Sequence, residues 1–284
     1  MSEKIYQMVT EQLVGMLEKG TIPWRKPWVG GEARFPRNMR SGRAYRGINQ
    51  LILGSSPYGS AYWLSYKQAQ EKGGQVRKGE KSYPVIFWKQ IEVTDKDSGE
   101  QKKIPMLKYY RVFNVEQIDG IEVPDAPTIQ NPDWNPIREA EAIVGGMQNP
   151  PLIIHDEPRA YYRPSSDTVN MPKPGLFGQE EEYYSVLFHE LTHSTGHESR
   201  LNRPGISEIS GFGSVKYSKE ELIAEMGAAF LAAKAGIEQT TLENSAAYLQ
   251  SWIKVLKGDP KLAIQAASQA QKAADHILGT FADA

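Results

Sequence analysis

The feature that most constrains this chain is the pentapeptide His-Glu-Leu-Thr-His at residues 189–193. His189 and His193 are four positions apart, so on a helix both imidazoles lie on the same face. Glu190 lies about 100° around the helix axis from His189, where its carboxylate can reach a water molecule without binding a metal ion. The spacing therefore predicts a helix that offers two nitrogen ligands to a divalent metal and a proton acceptor beside them.

The residues around the pentapeptide favour that helix. Three glutamates at 180–182 fall in its predicted first turn, where the helix dipole favours negative charge. Gly196 follows the motif, where a glycine commonly ends a helix. The alternative is a surface helix on which the two histidines have no common partner.

A catalytic zinc site needs a third protein ligand. The longer pattern HExxHxxGxxH is half present, since Gly196 is in place, but Ser199 stands where its third histidine belongs. Serine is a poor zinc ligand, which excludes that class of site. His197 is close in sequence, but it follows the predicted end of the helix and is a weaker candidate.

The next predicted helix offers carboxylates instead. Ser218 and Glu221 have the spacing of a capping box, which assigns Glu221 a structural role at the helix start. Glu225 falls on an alanine-lined face, and a carboxylate buried there without a partner would cost several kcal/mol. We therefore expect His189, His193 and Glu225 to be the metal ligands, with Glu221 as the alternative. Two histidines and a glutamate favour Zn²⁺, and Mn²⁺ or another divalent ion also fits.

The two halves of the chain carry opposite charge. Residues 1–125 hold 20 Lys and Arg against 14 Asp and Glu, whereas residues 126–284 hold 13 against 20. Within residues 19–46, cations alternate with aromatic side chains, an arrangement that suits the phosphates and bases of single-stranded nucleic acid. The alternative is that the aromatic residues form a core and the basic residues are simply solvated.

The candidate DNA contacts are the basic and aromatic residues of this half, and Trp88 is a possible extension of the same surface. They are Arg25, Lys26, Trp28, Arg43, Tyr45, Arg46, Lys67, Arg77 and Lys78.

The overall pattern predicts the α+β class. Residues 1–122 are predicted to form a small α+β domain. It begins with a helix that ends at Gly20, followed by irregular loops over 21–60 and a helix over 62–71. Two strands at 83–93 and 104–115 follow, joined by a turn at 97–99. Four prolines between residues 120 and 136 predict an extended linker at 123–135.

Residues 136–284 are predicted to form a mainly helical domain with a short sheet. Its expected strands lie near 152–155, 160–162 and 168–171, and its later helices at roughly 179–195, 219–235, 241–257 and 260–278.

Composition excludes several function classes. The chain has no cysteine, which excludes disulfides, thiolate catalysis and cysteine-based zinc sites. No run of eighteen apolar residues is present, so no membrane span is expected. The first residues lack the cleavage-site pattern of a secretory signal, and we expect a cytoplasmic protein.

Longer motifs resemble a known family. WRKPW at 24–28, SGRAYRGIN at 41–49 and FHELTHSTGHESRLNR at 188–203 are similar to ArdC-type plasmid antirestriction proteins, as is YSKEELIAEMGAAFL at 217–231. The resemblance implies a single-stranded DNA-binding domain followed by a zincin-like metallopeptidase domain, which together protect incoming plasmid DNA during conjugation. It carries the ligand roles to His189, His193 and Glu225 and the general-base role to Glu190.

The protein substrate is not implied by the resemblance. Two other functions stay open: a non-catalytic protein that coats single-stranded DNA and holds a structural or vestigial metal, and a peptidase whose basic half binds an acidic protein.

Overall fold

A computed structural model describes residues 2–25, 35–94, 101–124, 135–207, 215–237 and 246–280. The predicted α+β class is confirmed. The helices are α1 (Ser2–Glu18), α2 (Ile48–Gly54), α3 (Tyr66–Glu71), α4 (Pro136–Gly146), α5 (Glu180–Ser194), α6 (Pro204–Ser207), α7 (Val215–Ala235), α8 (Ala246–Gly258) and α9 (Leu262–Ile277). The strands are β1 (Arg37–Asn38), β2 (Tyr62–Ser65), β3 (Gln75–Val76), β4 (Tyr83–Thr94), β5 (Gln101–Asn114), β6 (Ile118–Asp119), β7 (Leu152–Ile154), β8 (Tyr161–Arg163) and β9 (Thr168–Asn170).

The N-terminal module (residues 1–122) is built on a sheet of order β1-β2-β5-β4. The long antiparallel pair β4–β5 keeps one register from Tyr83 opposite Val112 to Thr94 opposite Gln101. This pair confirms the two predicted strands, and their predicted turn at 97–99 lies outside the described residues. Strands β3 and β6 form a separate small ladder.

Two elements of this module differ from the sequence prediction. Residues 62–71 begin as buried strand β2, and the helix starts only at Tyr66, because Ser65 and Gln68 form a capping box there. Helix α2 lies in a segment expected to be irregular. Its first turns bury Ile48 and Leu51, and the Asn49 side chain exchanges two 2.7 Å hydrogen bonds with the backbone of Ile86 at the free edge of β4.

The C-terminal module (residues 136–284) contains the three short strands as predicted, in the order β7-β9-β8. Helix α4 begins where Pro136 occupies the first turn and the Asn135 side chain accepts backbone N–H bonds. Helix α5 packs against α7, and α7 packs in turn against α9. This layer of helices positions the functional site.

The approach of α5 to α7 depends on Gly227. A methyl group at that position would lie 2.5 Å from Thr192 Cγ2, and the Thr192 side chain is held by a 2.7 Å hydrogen bond to the Phe188 carbonyl. We expect Gly227→Ala to lower the free energy of unfolding by about 1–3 kcal/mol through overpacking. Gly145→Ala is the matched control, because a methyl group on Gly145 meets nothing within 4 Å. Urea unfolding measures both variants, and equal stability would contradict the close approach.

The two modules share one hydrophobic core. Helix α1 packs against α8 and α9, and Trp24 meets Trp252 edge-to-face with ring centroids 5.9 Å apart. The Thr10 hydroxyl donates a 2.9 Å hydrogen bond to the Pro260 carbonyl. The domain boundaries at 122 and 136 stay predictions, and residues 125–134 of the predicted linker lie outside the described residues.

Within the described ranges, no helix is both long enough and apolar enough to cross a bilayer.

Candidate metal centre

The two histidines of the pentapeptide face each other on α5, as their spacing predicts. His189 Nε2 and His193 Nε2 are 3.1 Å apart, and the two rings meet at 78°. His193 is 8% exposed, so its imidazole is largely shielded from water. Two ring nitrogens this close either share a proton in an N–H···N hydrogen bond or bind one metal ion.

Glu221 on α7 completes the group. Its carboxylate oxygens lie 3.3 Å from His193 Nε2 and 3.6 Å from His189 Nε2. A tetrahedral zinc ion with ligand bonds of about 2.0–2.2 Å holds its ligand atoms roughly 3.3–3.6 Å apart. Both distances from Glu221 match this spacing, and the 3.1 Å between the two imidazole nitrogens is slightly shorter. These three residues form the one group of potential metal ligands found in the described part of the chain.

In the structure the carboxylate nearest the two imidazoles is that of Glu221, whereas the sequence-based prediction was Glu225. Glu225 lies one turn further along α7 and is outside the three-residue group. Its Oε1 instead accepts a 2.8 Å hydrogen bond from the Tyr248 hydroxyl, which meets part of the cost of burying the carboxylate. The sequence pattern assigns Glu221 a capping role and keeps it only as the alternative ligand. Helix α7 begins at Val215, so Glu221 lies inside the helix, where its carboxylate can face α5.

The local charges prepare the site for a cation. Burial alone would lower the pKa of His193, but the nearby carboxylates of Glu220 and Glu221 outweigh it and raise that pKa to about 10. Burial alone would raise the pKa of Glu221, but the two imidazoles hold it well below its usual value. In the metal-free site at neutral pH, His193 is therefore protonated and faces negative carboxylates, and a metal ion would take the place of that proton.

Glu190 lies beside this group on α5 and is 8% exposed. Its charge contributes to the raised pKa of His193, which places it within electrostatic reach of the ligands. The three-residue group does not include Glu190, as expected for a proton acceptor that does not bind the metal.

Glu220 and Arg203 lie on the Nδ1 side of the His193 ring. Glu220 Oε1 lies 3.5 Å from His193 Nδ1, and Arg203 Nε donates a 3.1 Å hydrogen bond to Glu220 Oε2. Arg203 also donates to Thr195 Oγ1 at 2.6 Å and to the Thr192 carbonyl at 2.8 Å. At 3.5 Å the Glu220 carboxylate acts on the His193 imidazole through its charge and not through a short hydrogen bond. Sequence reasoning missed Arg203, because no local pattern links it to Glu220.

Breaking this buried pair is expected to be costly. Arg203→Met keeps an unbranched apolar stem like that of arginine but leaves the Glu220 carboxylate without its guanidinium partner. We expect a loss of about 3–5 kcal/mol in the free energy of unfolding of the metal-free protein. The double variant Arg203→Met/Glu220→Gln should recover part of that loss, since a neutral amide replaces the unpaired charge. Denaturant unfolding tests both, and a single variant as stable as the wild type would refute the role of the pair.

The candidate DNA contacts fall into three groups. Lys26 and Trp28 lie outside the described residues, and so does the side chain of Arg25. Arg43, Lys67 and Lys78 are exposed. Lys67 Nζ also lies 3.9 Å from Glu71 Oε1 in a solvent-exposed pair. The remaining candidates have closer partners within the protein.

Three candidates are engaged in the fold. Tyr45 is 8% exposed, and burial raises the pKa of its hydroxyl, so its ring is not available for stacking, contrary to the prediction. Arg46 is paired with Asp275 on α9. Arg77 bonds to Glu80 at 2.9 Å and to Asp119 at 3.3 Å.

Exposed aromatic side chains occur instead on the β4–β5 hairpin. Trp88 is 52% exposed, and Phe87, Tyr109 and Tyr110 are also exposed, whereas Trp24 and Trp63 are buried. Sequence reasoning included Trp88 but missed both tyrosines. Strand alternation alone did not identify them, because this hairpin presents aromatic rings on both of its faces.

Fold and site together define a class: an α+β module packed on a helical module that carries a zincin-like metal site. Residues 138–269 match the family model of zincin-like metallopeptidases, and residues 3–113 match that of the N-terminal domain of the anti-restriction factor ArdC. Crystal structures of the ArdC antirestriction protein from plasmid R388, metal-free and Mn(II)-bound, superpose with TM-scores of 0.77 and 0.74 at 42% identity, covering 97% of both chains. The chain belongs to the ArdC antirestriction family.

Curated relatives include two DNA primases TraC from Escherichia coli, 40% and 37% identical over 96% of this chain. This chain spans 20% and 27% of their lengths. Uncharacterized protein y4eC of Sinorhizobium fredii (strain NBRC 101917 / NGR234) is 35% identical over 99% of this chain and 93% of its own length.

Proposed function

We propose that this protein binds single-stranded DNA through its N-terminal module and hydrolyses peptide bonds of a protein near that DNA at the metal centre. In this way it protects incoming plasmid DNA in the cytoplasm of a recipient cell during conjugation. The observation that carries the proposal is the convergence of His189, His193 and Glu221 beside the buried carboxylate of Glu190.

The residues divide the chemistry between them. His189, His193 and Glu221 would hold the divalent ion, which when bound would polarise a carbonyl and make water a better nucleophile. Glu190 takes the proton from the attacking water and can return it to the leaving amine. Zn²⁺ is our first choice for this donor set, and the Mn(II)-bound relative supports Mn²⁺ as an alternative.

Charge and exposed rings support the DNA-binding part. Residues 1–125 carry an excess of cations, and the β4–β5 hairpin presents exposed aromatic rings. Cations that follow phosphates, combined with rings on which bases stack, are typical of proteins that bind single strands. The match of this module to the ArdC N-terminal domain is consistent with this role.

Purified protein tests both parts. Metal-stripped protein is reloaded with Zn²⁺ or Mn²⁺, and cleavage of candidate proteins is followed with and without single-stranded DNA. Mobility shifts are measured over a salt series, since phosphate contacts give a steep slope. We expect metal-dependent cleavage that DNA stimulates. An absence of cleavage with either metal would refute the peptidase part, and salt-independent binding would refute the phosphate contacts.

A non-catalytic protection protein is the second candidate. It is favoured by the burial of His193, which is only 8% exposed and so lies away from bulk water. Conjugation into a restricting recipient distinguishes the two functions. Full protection by Glu190→Gln would favour simple DNA coating, and loss of protection with unchanged DNA binding would favour hydrolysis.

A further inference from the structure

A cavity of about 230 Å³ lies where the N-terminal sheet meets helix α9 of the C-terminal module. Residues 46–49, Ile86 and Trp88 line it from one side, and Gln271 and Lys272 are among the residues that line it from α9. The cavity is smaller than the roughly 300–1,000 Å³ of pockets that enclose drug-sized ligands. Its size suits one flat group rather than a large cofactor.

Strand β4 lines the cavity, and the neighbouring surface of β4 and β5 carries accessible aromatic rings. Ile86 and Trp88 are two residues apart on β4 and share a face of the hairpin, with Ile86 buried and Trp88 52% exposed. Tyr109 is opposite Ile86 in the register, so it lies on that same face, and it is 43% exposed. Two exposed rings therefore follow one another from the cavity across the hairpin.

Cations surround this aromatic surface. Lys272 is exposed, and no ion pair to it occurs among the residues that the structure describes. The Arg111 guanidinium lies 5.8 Å from the centre of the Tyr109 ring. Arg46 is at the rim and half exposed, and its partner Asp275 is the acidic group of this surface. Three cations against one carboxylate leave an excess of positive charge beside the rings.

We propose that this groove is a nucleotide subsite for single-stranded DNA, in which an unstacked base lies against Trp88 and an adjacent phosphate pairs with Lys272. The next base then stacks on Tyr109 beside Arg111. The inference rests on the proposed DNA-binding function. It adds that the DNA site is bipartite, because α9 of the metallopeptidase-like module supplies Lys272.

The exposed rings of Trp88 and Tyr109 beside these cations support this occupant over an acidic peptide. Each base of a single strand offers a flat face on which an exposed ring can stack. The phosphates of the same strand are spaced so that they can meet separate cations. Duplex DNA is excluded from the cavity, because its bases are stacked and paired and cannot enter individually. Binding of duplex should therefore not depend on Trp88.

The test measures fluorescence anisotropy of a labelled oligothymidylate with full-length protein over a salt series. Trp88→Ala should weaken binding by about 5- to 150-fold, the effect of losing one stacked base. Trp88→Phe should retain most of the affinity. Lys272→Gln should make the slope of log K against log salt shallower by about 0.7, the value for one phosphate contact on a single strand.

Lys261→Gln is the matched control, since Lys261 is an exposed lysine that precedes the other end of the same helix. It should leave the slope unchanged. Thermal unfolding establishes that each variant is folded, and duplex binding should not respond to Trp88→Ala. If the wild type binds the oligonucleotide and both Trp88→Ala and Lys272→Gln match it, the subsite is refuted while DNA binding stands. If the wild type itself does not bind, both proposals are refuted.

Discussion

Glu190→Gln is expected to reduce peptide hydrolysis by about 10²–10⁴-fold while the metal content stays at the wild-type level. The amide has nearly the shape of the carboxylate but cannot accept the proton of the attacking water. His189, His193 and Glu221 form the ligand group without Glu190, so metal binding does not depend on it. Cleavage rates and metal analysis of the same samples measure the two effects separately.

The control for Glu190→Gln is Glu180→Gln, which makes the same chemical change at an exposed position in the first turn of the same helix. It should retain full activity. A Glu190→Gln protein that cleaves as fast as the wild type would remove the general-base role. A variant that loses its metal as well would indicate that Glu190 helps to form the ligand shell.

Glu221→Gln is expected to weaken metal binding by more than 100-fold, whereas Glu225→Gln should stay within a few-fold of the wild type. Loss of supporting residues outside the ligand shell already costs about 10- to 100-fold in affinity, and loss of an anionic ligand should exceed that. At position 225, the amide oxygen of glutamine can still accept the hydrogen bond from Tyr248. Zinc titration of metal-stripped protein against a competing chelator measures the two affinities.

This pair of variants also decides between the two ligand assignments. The sequence-based choice of Glu225 predicts the opposite order of affinities. That result would mean that α7 rotates or shifts when metal binds, bringing its next turn toward His189 and His193.

Local periodicity was sufficient for much of the fold. Helix α5, the strand pair β4–β5 and the three short strands of the C-terminal module were predicted within a few residues of their ends. Each is decided by residues close in sequence, through side-chain spacing and turn chemistry. The missed helix α2 has a different origin, since its apolar residues are buried in a core assembled from distant segments.

Burial of aromatic residues could not be predicted from composition. Trp24 and Trp88 both occur among basic residues, yet Trp24 is fully buried against Trp252 and Trp88 is half exposed. The difference depends on a partner more than two hundred residues away in sequence. The same long-range packing brings Lys272 of α9 to the edge of the N-terminal sheet.

The sequence by itself determined the imidazole pair, because the turn of a helix brings residues four apart to one side wherever that helix is placed. Only the tertiary structure shows which carboxylate of α7 lies next to that pair. Glu221 and Glu225 lie on the same side of α7, one turn apart, and pattern alone cannot rank them. Which of the two carboxylates faces the imidazoles depends on where α7 begins and on the position of α7 along α5. The close contact of Gly227 with Thr192 fixes that position.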